Sequence, residues 1–336
     1  MHSFRFSDYL AIRTDPEILN LTYDSESEIN YHRLFRGGIA SFFEMERSLL
    51  FPDAYLALVA MLRNQIHDGD VLCVVPQAYV AIHDALEVIQ RIRKNVQVRV
   101  PTTGTLSDIP VHTKRLVLIS NGIHVAEARI LPIDRWYERL CEIHQKRGIP
   151  CAFLLEDSHG VGVLGEHGRG TFEHFGIPAN SMQPSGVPCF FSGSLAKAFG
   201  TSGGFLAGEK KWLKTIRQCD PGCCRDSQYP MSSAVAGIHA LVLALQPERR
   251  AKLRENVQFF RELLTHRKIA FCGDAELPFV ILEQRKAVEA SRYLESKGIQ
   301  VGLTHFTKHP RLRVVVTPAQ TREEMTFLAE ELAQIK

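Results

Sequence analysis

The sequence lacks the features of secreted, membrane-spanning and fibrous proteins. The N-terminal stretch MHSFRFSDYLAIRTDPE carries charges where a signal peptide needs an apolar segment. Apolar runs of about 18 residues, which membrane spans need, are missing. Internal repeats and low-complexity tracts are missing too. We therefore expect a cytoplasmic protein that does not enter a membrane.

A strong charge of one sign and patterned cysteines are also missing. Forty basic and 37 acidic side chains leave a net charge of +3, which gives no electrostatic reason to expect binding to nucleic acid. The eight cysteines show no regular spacing, and the adjacent Cys223 and Cys224 have no second pair to complete a zinc site. We expect reduced thiols and no metal.

What the sequence contains is a globular composition with alternating strands and helices. Hydrophobic residues make up 45% of the 336 residues and charged residues 23%, as in ordinary soluble domains. Continuous apolar runs alternate with helical patterns, which predicts an α/β fold with a mostly parallel sheet covered by helices. The predicted strands are Val71–Val75, Val96–Val100, Leu116–Ser120, Cys151–Glu156, Pro188–Phe191 and Gly204–Ala207. The predicted helices among them include Ala54–Arg63, Ala81–Arg93 and Asp134–Lys146.

The two ends of the chain are patterned differently. The first 35 residues show no period, and a helical pattern begins at Gly38 and runs to Leu49. The C-terminal part predicts helices over Ser232–Leu245, Glu248–Thr265, Lys286–Lys297 and Thr321–Ile335, and strands over Pro278–Leu282 and Leu312–Thr317. These shifts predict an N-terminal arm over residues 1–37, a large α/β domain over 38–219 and a small α+β domain over 220–336.

The first motif that carries chemistry is EDSHGVGVLGEHGRG, which begins at Glu156. A buried strand ends there in two carboxylates, Glu156 and Asp157, followed by the imidazole of His159. Open α/β sheets bind ligands at the carboxyl ends of their strands. The glycines also match G-x-G-x-x-G, but a dinucleotide site needs them directly after the strand and an acidic residue at the end of the next strand. The next predicted strand ends beside Ser192, so this interpretation is disfavoured.

The second motif is SLAKAFGTSGGFLAG, with Lys197 between two apolar strands. Partial burial lowers the pKa of a lysine and makes its neutral amine available as a nucleophile. Ser194 offers a hydroxyl to an anion. Together the motifs supply an acid for a ring nitrogen, a histidine for a ring hydroxyl and a lysine for an aldehyde. Pyridoxal phosphate needs all three, so we expect this cofactor.

In these two motifs the sequence resembles the α-oxoamine synthases. This family of fold-type-I pyridoxal-phosphate enzymes includes 8-amino-7-oxononanoate synthase, 2-amino-3-ketobutyrate CoA ligase, 5-aminolevulinate synthase and serine palmitoyltransferase. The resemblance implies that Lys197 forms the internal aldimine, that His159 lies near the ring oxygen and that Ser194 helps to hold the phosphate. The family's partner of the pyridine nitrogen is normally aspartate, and here that position is Glu156. Asp157 is the alternative partner, which requires a change in the geometry of the strand end.

The resemblance assigns further residues, several of which depart from the family pattern. The phosphate-cradling turn, usually Ser-Gly-aromatic, is matched by Asp53, Ala54 and Tyr55. A carboxylate at Asp53 repels a phosphate unless it points away, whereas the helix amides after it attract one. Tyr79 replaces the ring-stacking histidine. In the family, a hydroxyl from the partner subunit often reaches the phosphate, and the corresponding position in this chain is near Tyr229.

The substrate-carboxylate arginine of the family is replaced in this chain. His305 falls about where it belongs, and Arg311 is the residue that can compensate. The glycine-rich segment that precedes the first core helix in family members is missing. The resemblance implies a homodimer with shared active sites and the condensation of an amino acid with an acyl-CoA thioester, as in 8-amino-7-oxononanoate synthase. The alternatives are a fold-type-I aminotransferase and a non-catalytic partner subunit. Such subunits lack the aldimine-forming lysine, whereas this chain has it as Lys197.

Overall fold

The computed structural model describes residues 2–22, 29–101, 106, 109–110, 112–179, 185–219, 229–283, 286–304 and 309–335. Cys223, Cys224 and His305 lie outside these ranges. The helices are α1 (Pro16–Leu19), α2 (Tyr31–Phe42), α3 (Ala54–Gln65), α4 (Val80–Ile92), α5 (Ile133–Arg147), α6 (Thr171–His174), α7 (Lys210–Cys219), α8 (Met231–Leu245), α9 (Pro247–His266), α10 (Ala287–Ser296) and α11 (Arg322–Gln334). Among these described helices, none has the length and apolar character to cross a membrane.

The strands form two sheets and a short ribbon. They are β1 (His2–Phe4), β2 (Arg47–Phe51), β3 (Val71–Val74), β4 (Gln97–Arg99), β5 (Leu116–Asn121), β6 (Ile123–His124), β7 (Arg129–Ile130), β8 (Cys151–Glu156), β9 (Cys189–Ser194), β10 (Gly204–Gly208), β11 (Phe271–Cys272), β12 (Phe279–Leu282), β13 (Ile299–Leu303) and β14 (Leu312–Val315). Each strand and helix predicted after residue 50 overlaps an observed one. The predicted division into domains at residues 37 and 219 stays a prediction.

The larger sheet has the order β2-β10-β9-β8-β5-β3-β4. From β9 to β4 all neighbours are parallel, whereas β10 is antiparallel to both β9 and β2. Every residue of β5, β8 and β9 is buried, as expected of strands covered by helices on both faces. The predicted α/β fold with a mostly parallel sheet is confirmed.

The smaller sheet has the order β1-β13-β14-β12-β11 and joins the two ends of the chain. In its only parallel pair among the described strands, His2 of β1 lies opposite Ile299 of β13. The expectation that the first 35 residues are irregular is therefore wrong. A strand of three residues is too short to show a period, and it forms because β13 supplies its hydrogen-bonding partner.

The helical pattern predicted from Gly38 to Leu49 is confirmed as far as Phe42 and is wrong beyond it. Helix α2 begins earlier, at Tyr31, and ends at Phe42, after which Glu44 adopts a positive φ of 53°. Strand β2 follows and pairs with β10. Its apolar residues are buried one after another, and such a short apolar run fits a helix and a buried strand equally well.

An aromatic cluster connects the end of α2 to β9 and β10, the strands on either side of the turn that carries Lys197. The Phe43 ring lies 5.3 Å from that of Phe191 in β9 and 4.9 Å from that of Phe205 in β10. The Phe42 ring lies 5.4 Å from that of Phe199. Such pairs contribute roughly 0.5–1.5 kcal/mol each beyond their burial. The cluster therefore fixes both strands that flank Lys197.

Candidate active site

The candidate site begins where three strands end side by side. β5 ends at Asn121, β8 at Glu156 and β9 at Ser194. Asn121 lies opposite Glu156 in the β5–β8 pair, and Glu156 lies opposite Ser192 in the β8–β9 pair. The carboxyl ends of parallel strands form the edge at which open α/β sheets bind ligands. The fold thus brings both sequence motifs to the same edge.

A cavity of about 490 Å³ opens at this edge, and pockets of this size hold small molecules. Its wall combines the N-terminal segment, the strand ends and the smaller sheet. The polar lining residues are Ser7, Tyr79, His83, Asn121, His124, His159, Lys197, Thr304 and Arg313. Lys197, His159 and Tyr79 are three of the predicted site residues, and the structure brings all three to this cavity.

Lys197 lies in the turn between β9 and β10. The Gly200 amide donates to the Lys197 carbonyl at 3.0 Å, and the Thr201 amide donates to the Leu195 carbonyl at 3.0 Å, so the turn is fixed by its own backbone. Burial lowers the pKa of the Lys197 ammonium, although the nearby Glu156 carboxylate opposes this shift. A lowered pKa increases the fraction of neutral amine, which is the nucleophilic form.

His159 is held by a residue from the N-terminal segment. Its Nδ1 lies 2.6 Å from the hydroxyl of Tyr9, which accepts a hydrogen bond from Arg313 Nη2 at 2.9 Å. Burial, followed by the positive charges of Lys197 and Arg313, lowers the pKa of His159 well below its ordinary value. The imidazole is therefore neutral at pH 7. Sequence reasoning missed Tyr9 because its segment has no period and lies 150 residues from His159.

Glu156 and Asp157 have different surroundings. The Oε1 of Glu156 accepts a hydrogen bond from the Ser158 amide at 3.1 Å, and its charge acts on Lys197 and on Tyr79. Asp157 accepts hydrogen bonds from the amide and the hydroxyl of Thr171, at 2.6 and 2.5 Å. Burial raises the pKa of Asp157 to about 7. Of the two carboxylates, Glu156 is therefore the one that acts on the cavity.

The residues predicted to hold a phosphate meet around Gly204. Gly204 lies opposite Ser194 in the β9–β10 pair. A Cβ on Gly204 would lie 2.4 Å from the Asp53 carbonyl oxygen and 2.5 Å from the Ala54 Cα. The Gly204 backbone therefore lies directly against the start of α3, with Ser194 on the neighbouring strand. The Asp53 carboxylate accepts a hydrogen bond from an amide of the first turn of α3 at 2.8 Å. Ala54 and Tyr55 begin that helix, at its positive end.

The two remaining predicted tyrosines differ in their accessibility. Tyr79 borders the cavity just before α4, and its amide donates to Asn121 Oδ1 at 2.9 Å. Tyr229 is buried within its own subunit, where its hydroxyl donates to the Ser202 carbonyl at 2.6 Å. Its carbonyl accepts a hydrogen bond from His32 Nε2 at 2.6 Å. Tyr79 can contact a molecule in the cavity, whereas Tyr229 is held by its own chain.

The two arginines at the start of β14 make different contacts. The Arg311 guanidinium donates to the Ala126 carbonyl at 2.5 Å and does not border the cavity. The Arg313 guanidinium borders it, donates to Ser7 Oγ at 2.8 Å and lies 4.6 Å from the ring centre of Phe279. From the sequence, residues two apart in a strand are expected on the same face, although the observed strand begins only at Leu312. The sequence therefore offered no reason to prefer Arg313.

The sequence matches the family described as aminotransferase class I and II over residues 22–332. The chain belongs to this family. Among proteins of similar sequence, an 8-amino-7-oxononanoate synthase of Thioalkalivibrio sulfidiphilus is 28% identical over 354 aligned residues, which cover 98% of this chain and 87% of the relative. A second, from Nitrosospira multiformis, is 25% identical over 99% of this chain and 86% of its own length.

Solved structures share the fold of this aminotransferase class I and II protein. A serine palmitoyltransferase of Sphingomonas wittichii superposes with a TM-score of 0.82 at 17% identity and covers 99% of this chain and 86% of its own. The 8-amino-7-oxononanoate synthase of Francisella tularensis superposes with a TM-score of 0.76 at 18% identity and covers 99% and 97%. The predicted resemblance, the fold-type-I architecture and a pyridoxal-phosphate-dependent transferase are confirmed.

The residues around the cavity fit this cofactor. A partly buried lysine, a neutral histidine and a nearby carboxylate suit the aldehyde, the ring oxygen and the ring nitrogen of pyridoxal phosphate. The amides at the start of α3 and the buried Ser194 hydroxyl suit an anion. Asp53 is the exception, since its carboxylate already caps the helix that would face the phosphate.

Proposed function

We propose that this protein condenses an amino acid with an acyl-CoA thioester, in the manner of an 8-amino-7-oxononanoate synthase. The observation that carries the proposal is the position of Lys197, with its lowered pKa, in one cavity with His159 and beside Glu156. The names of the curated relatives support this reaction class. The chain spans 87% of the first of them, so most of that enzyme has a counterpart here.

In the proposed roles, one group of residues binds the ring of the cofactor and another binds its phosphate. Glu156 would pair with the ring nitrogen, His159 with the ring oxygen, and Tyr79 would contact the ring face. Ser194, with the amides of Ala54 and Tyr55, would hold the phosphate. When bound, the protonated pyridine ring withdraws electrons from the α-carbon of an attached amino acid.

Lys197 has two proposed tasks at different stages. Its Nζ would hold the cofactor's aldehyde before the amino acid arrives. Once released, the same atom is available to take a proton from the substrate's α-carbon and to return it, because the lowered pKa provides neutral amine. In the condensation, a carbon–carbon bond would form between the α-carbon and the thioester carbonyl, and the carbon–sulfur bond would break to release free CoA. The bond from the α-carbon to its carboxylate would then break to release carbon dioxide, which leaves the position at which the proton is returned.

Arg313 is our candidate for holding the carboxylate of the amino acid. It is the guanidinium that borders the cavity, and a guanidinium can bind a carboxylate through two parallel hydrogen bonds. The predicted roles of Arg311 and His305 stay predictions. For Arg311 the geometry is less favourable, because its guanidinium donates to the Ala126 carbonyl instead.

We further propose a cytoplasmic homodimer with active sites at the subunit interface. In such a dimer the hydroxyl expected from Tyr229 would come from the partner subunit, and it would first have to leave the Ser202 carbonyl. The described cysteines Cys73, Cys151 and Cys189 are buried free thiols, which is compatible with a reducing compartment. Sedimentation of the purified protein tests the dimer.

The decisive experiment supplies the cofactor-loaded protein with single amino acids, with and without acyl-CoA. We expect free CoA to appear only when both substrates are present, and the Lys197→Ala variant to release it roughly 10²–10⁴-fold more slowly. Conversion of a keto acid to an amino acid without acyl-CoA would indicate an aminotransferase instead. Absence of turnover in all mixtures, with the cofactor bound, would indicate a non-catalytic subunit.

A further inference from the structure

The N-terminal segment from Ser7 to Arg13 packs against the turn that contains Lys197. The Asp8 carboxylate accepts hydrogen bonds from the amides of Ile12 and Arg13 at 3.1 Å each, which fixes the shape of the segment. The Arg13 guanidinium donates to the carbonyl of Ala196, next to Lys197, at 2.9 Å. The segment is therefore a fixed part of the cavity wall.

Tyr9 is the residue of this segment that reaches deepest. Its side chain is fully buried, and its ring stacks on Phe279 at 6.0 Å with an angle of 17° between the planes. The Arg313 guanidinium also lies over the Phe279 ring in a cation–π contact. The Tyr9 hydroxyl thus lies between His159 and Arg313 and contacts both.

The direction of the proton in this chain follows from the chemistry of the three groups. A guanidinium has only donors, so Arg313 donates and the Tyr9 oxygen accepts. The His159 imidazole is neutral and carries one proton. The distance of 2.6 Å between the Tyr9 oxygen and Nδ1 lies within the range of hydroxyl donors, about 2.5–3.0 Å, and below that of N–H donors, about 2.7–3.2 Å.

We propose that Tyr9 is a positioning residue, which donates its hydroxyl proton to Nδ1 of His159 and so keeps the other ring nitrogen, Nε2, protonated. Nε2–H is then the donor that His159 offers to a molecule in the cavity. On the proposed function, this donor meets the ring oxygen of the cofactor. Tyr9 acts only through His159, because its own hydroxyl is occupied on both sides.

Nitrogen NMR of the cofactor-free, full-length protein labelled with ¹⁵N-histidine tests this proposal. The signals of His159 are identified among the 14 histidines by their loss in His159→Gln. At neutral pH we expect Nδ1 of His159 to give the shift of a bare acceptor and Nε2 that of a protonated nitrogen. A protonated Nδ1 in the unchanged protein would overturn the proposal, whether or not Tyr9→Phe folds.

Three variants separate the role of Tyr9 from the roles of its neighbours. Tyr9→Phe should convert the single tautomer into a mixture, whereas Tyr137→Phe, which removes a hydroxyl bonded to Ser185 instead, should leave the signals unchanged. Ser7 is the competing acceptor for the Tyr9 proton, since it shares the Arg313 donor and lies beside the Tyr9 hydroxyl. Ser7→Ala should leave the tautomer of His159 unchanged, and a change there would overturn the assignment.

The outcome is independent of the reaction class, because the NMR sample contains no cofactor or substrate. A confirmed tautomer without CoA release would contradict only the proposed function. CoA release with a protonated Nδ1 would contradict only the role of Tyr9. If both hold, Tyr9→Phe should lower kcat/KM roughly tenfold, which corresponds to the loss of one hydrogen bond.

Discussion

Glu156 and Asp157 are neighbours in the chain but act on different parts of the protein. The Glu156 charge acts on Lys197 and Tyr79 at the cavity, whereas Asp157 is engaged by the amide and hydroxyl of Thr171. The strand end thus separates a carboxylate available to a ligand from one that fixes the loop after β8. This arrangement supports Glu156 as the partner of the pyridine nitrogen and leaves Asp157 a structural role.

Asp157→Asn should remove part of the pH dependence of stability. The pKa of this carboxyl is about 7 in the folded state and 3.8 ordinarily, so between these pH values the folded protein holds a proton that the unfolded chain has lost. Stability from this group therefore falls as the pH rises from about 4 to 7. In the variant, we expect the free energy of unfolding not to decrease in this way. At pH 8 the variant should therefore be more stable than the unchanged protein by on the order of a few kcal/mol.

Urea unfolding at pH 5 and pH 8 measures the effect of Asp157→Asn. The control is Glu166→Gln, which removes an exposed carboxylate nearby in the same loop. An identical loss of stability between the two pH values in Asp157→Asn and the unchanged protein would contradict the prediction.

Lys197→Ala should abolish the covalent attachment of the cofactor and lower turnover by roughly 10²–10⁴-fold, as expected when a positioned base is lost. Treatment with borohydride followed by mass spectrometry should find the added cofactor mass on Lys197 of the unchanged protein and no such mass in the variant. Lys210→Ala, at an exposed position, should behave like the unchanged protein. Cofactor mass on a different lysine would show that the assignment is wrong.

Arg313→Gln should raise KM for the amino substrate by roughly 10–100-fold, because a buried carboxylate would lose a charged partner worth roughly 1.5–3 kcal/mol. Arg311→Gln is the matched comparison, since its guanidinium is engaged by the Ala126 carbonyl, and its KM should change less. Steady-state kinetics with varied amino acid at saturating acyl-CoA distinguishes them. A larger KM effect at Arg311 would restore the original prediction for that residue.

Asp53→Asn should strengthen cofactor binding. Asparagine caps a helix as well as aspartate does, so the variant removes the charge at the start of α3 and keeps the cap seen at 2.8 Å. Less repulsion of the phosphate should lower Kd for pyridoxal phosphate roughly three- to tenfold. Equilibrium dialysis measures the change, with unphosphorylated pyridoxal as the control ligand, whose affinity should not move. Unchanged affinity for the phosphate would mean that the carboxylate does not oppose it.

Much of the large sheet and the centre of the site could be predicted from local sequence. The buried strands around Glu156 and Ser194 are continuous apolar runs, and the polar residues that end them fall at one edge in any parallel sheet. The positions of Lys197 and His159 follow from that rule alone. Helices after residue 50 were predictable because their apolar periods are long.

The contributions of the chain ends could not be predicted in the same way. Strand β1 is short and depends on β13 for its hydrogen bonds. Strand β2 consists mainly of a short apolar run, which is compatible with a helix as well as with a buried strand. The place of Tyr9 depends on that distant pairing. Arg311 and Arg313 are two residues apart around the start of β14, so a strand pattern expects both on one face, and only the surrounding surfaces decide which of them reaches the cavity.

The sequence by itself determined the α/β class, the two motifs and the chemistry of a lysine, a histidine and a carboxylate at strand ends, because buried strands and their ends leave a local pattern. Tertiary structure alone decided that Tyr9 holds His159, that Arg313 borders the cavity and that Asp157 is engaged by Thr171. These contacts join residues far apart in the chain, and no local pattern records which distant surfaces meet when the chain folds.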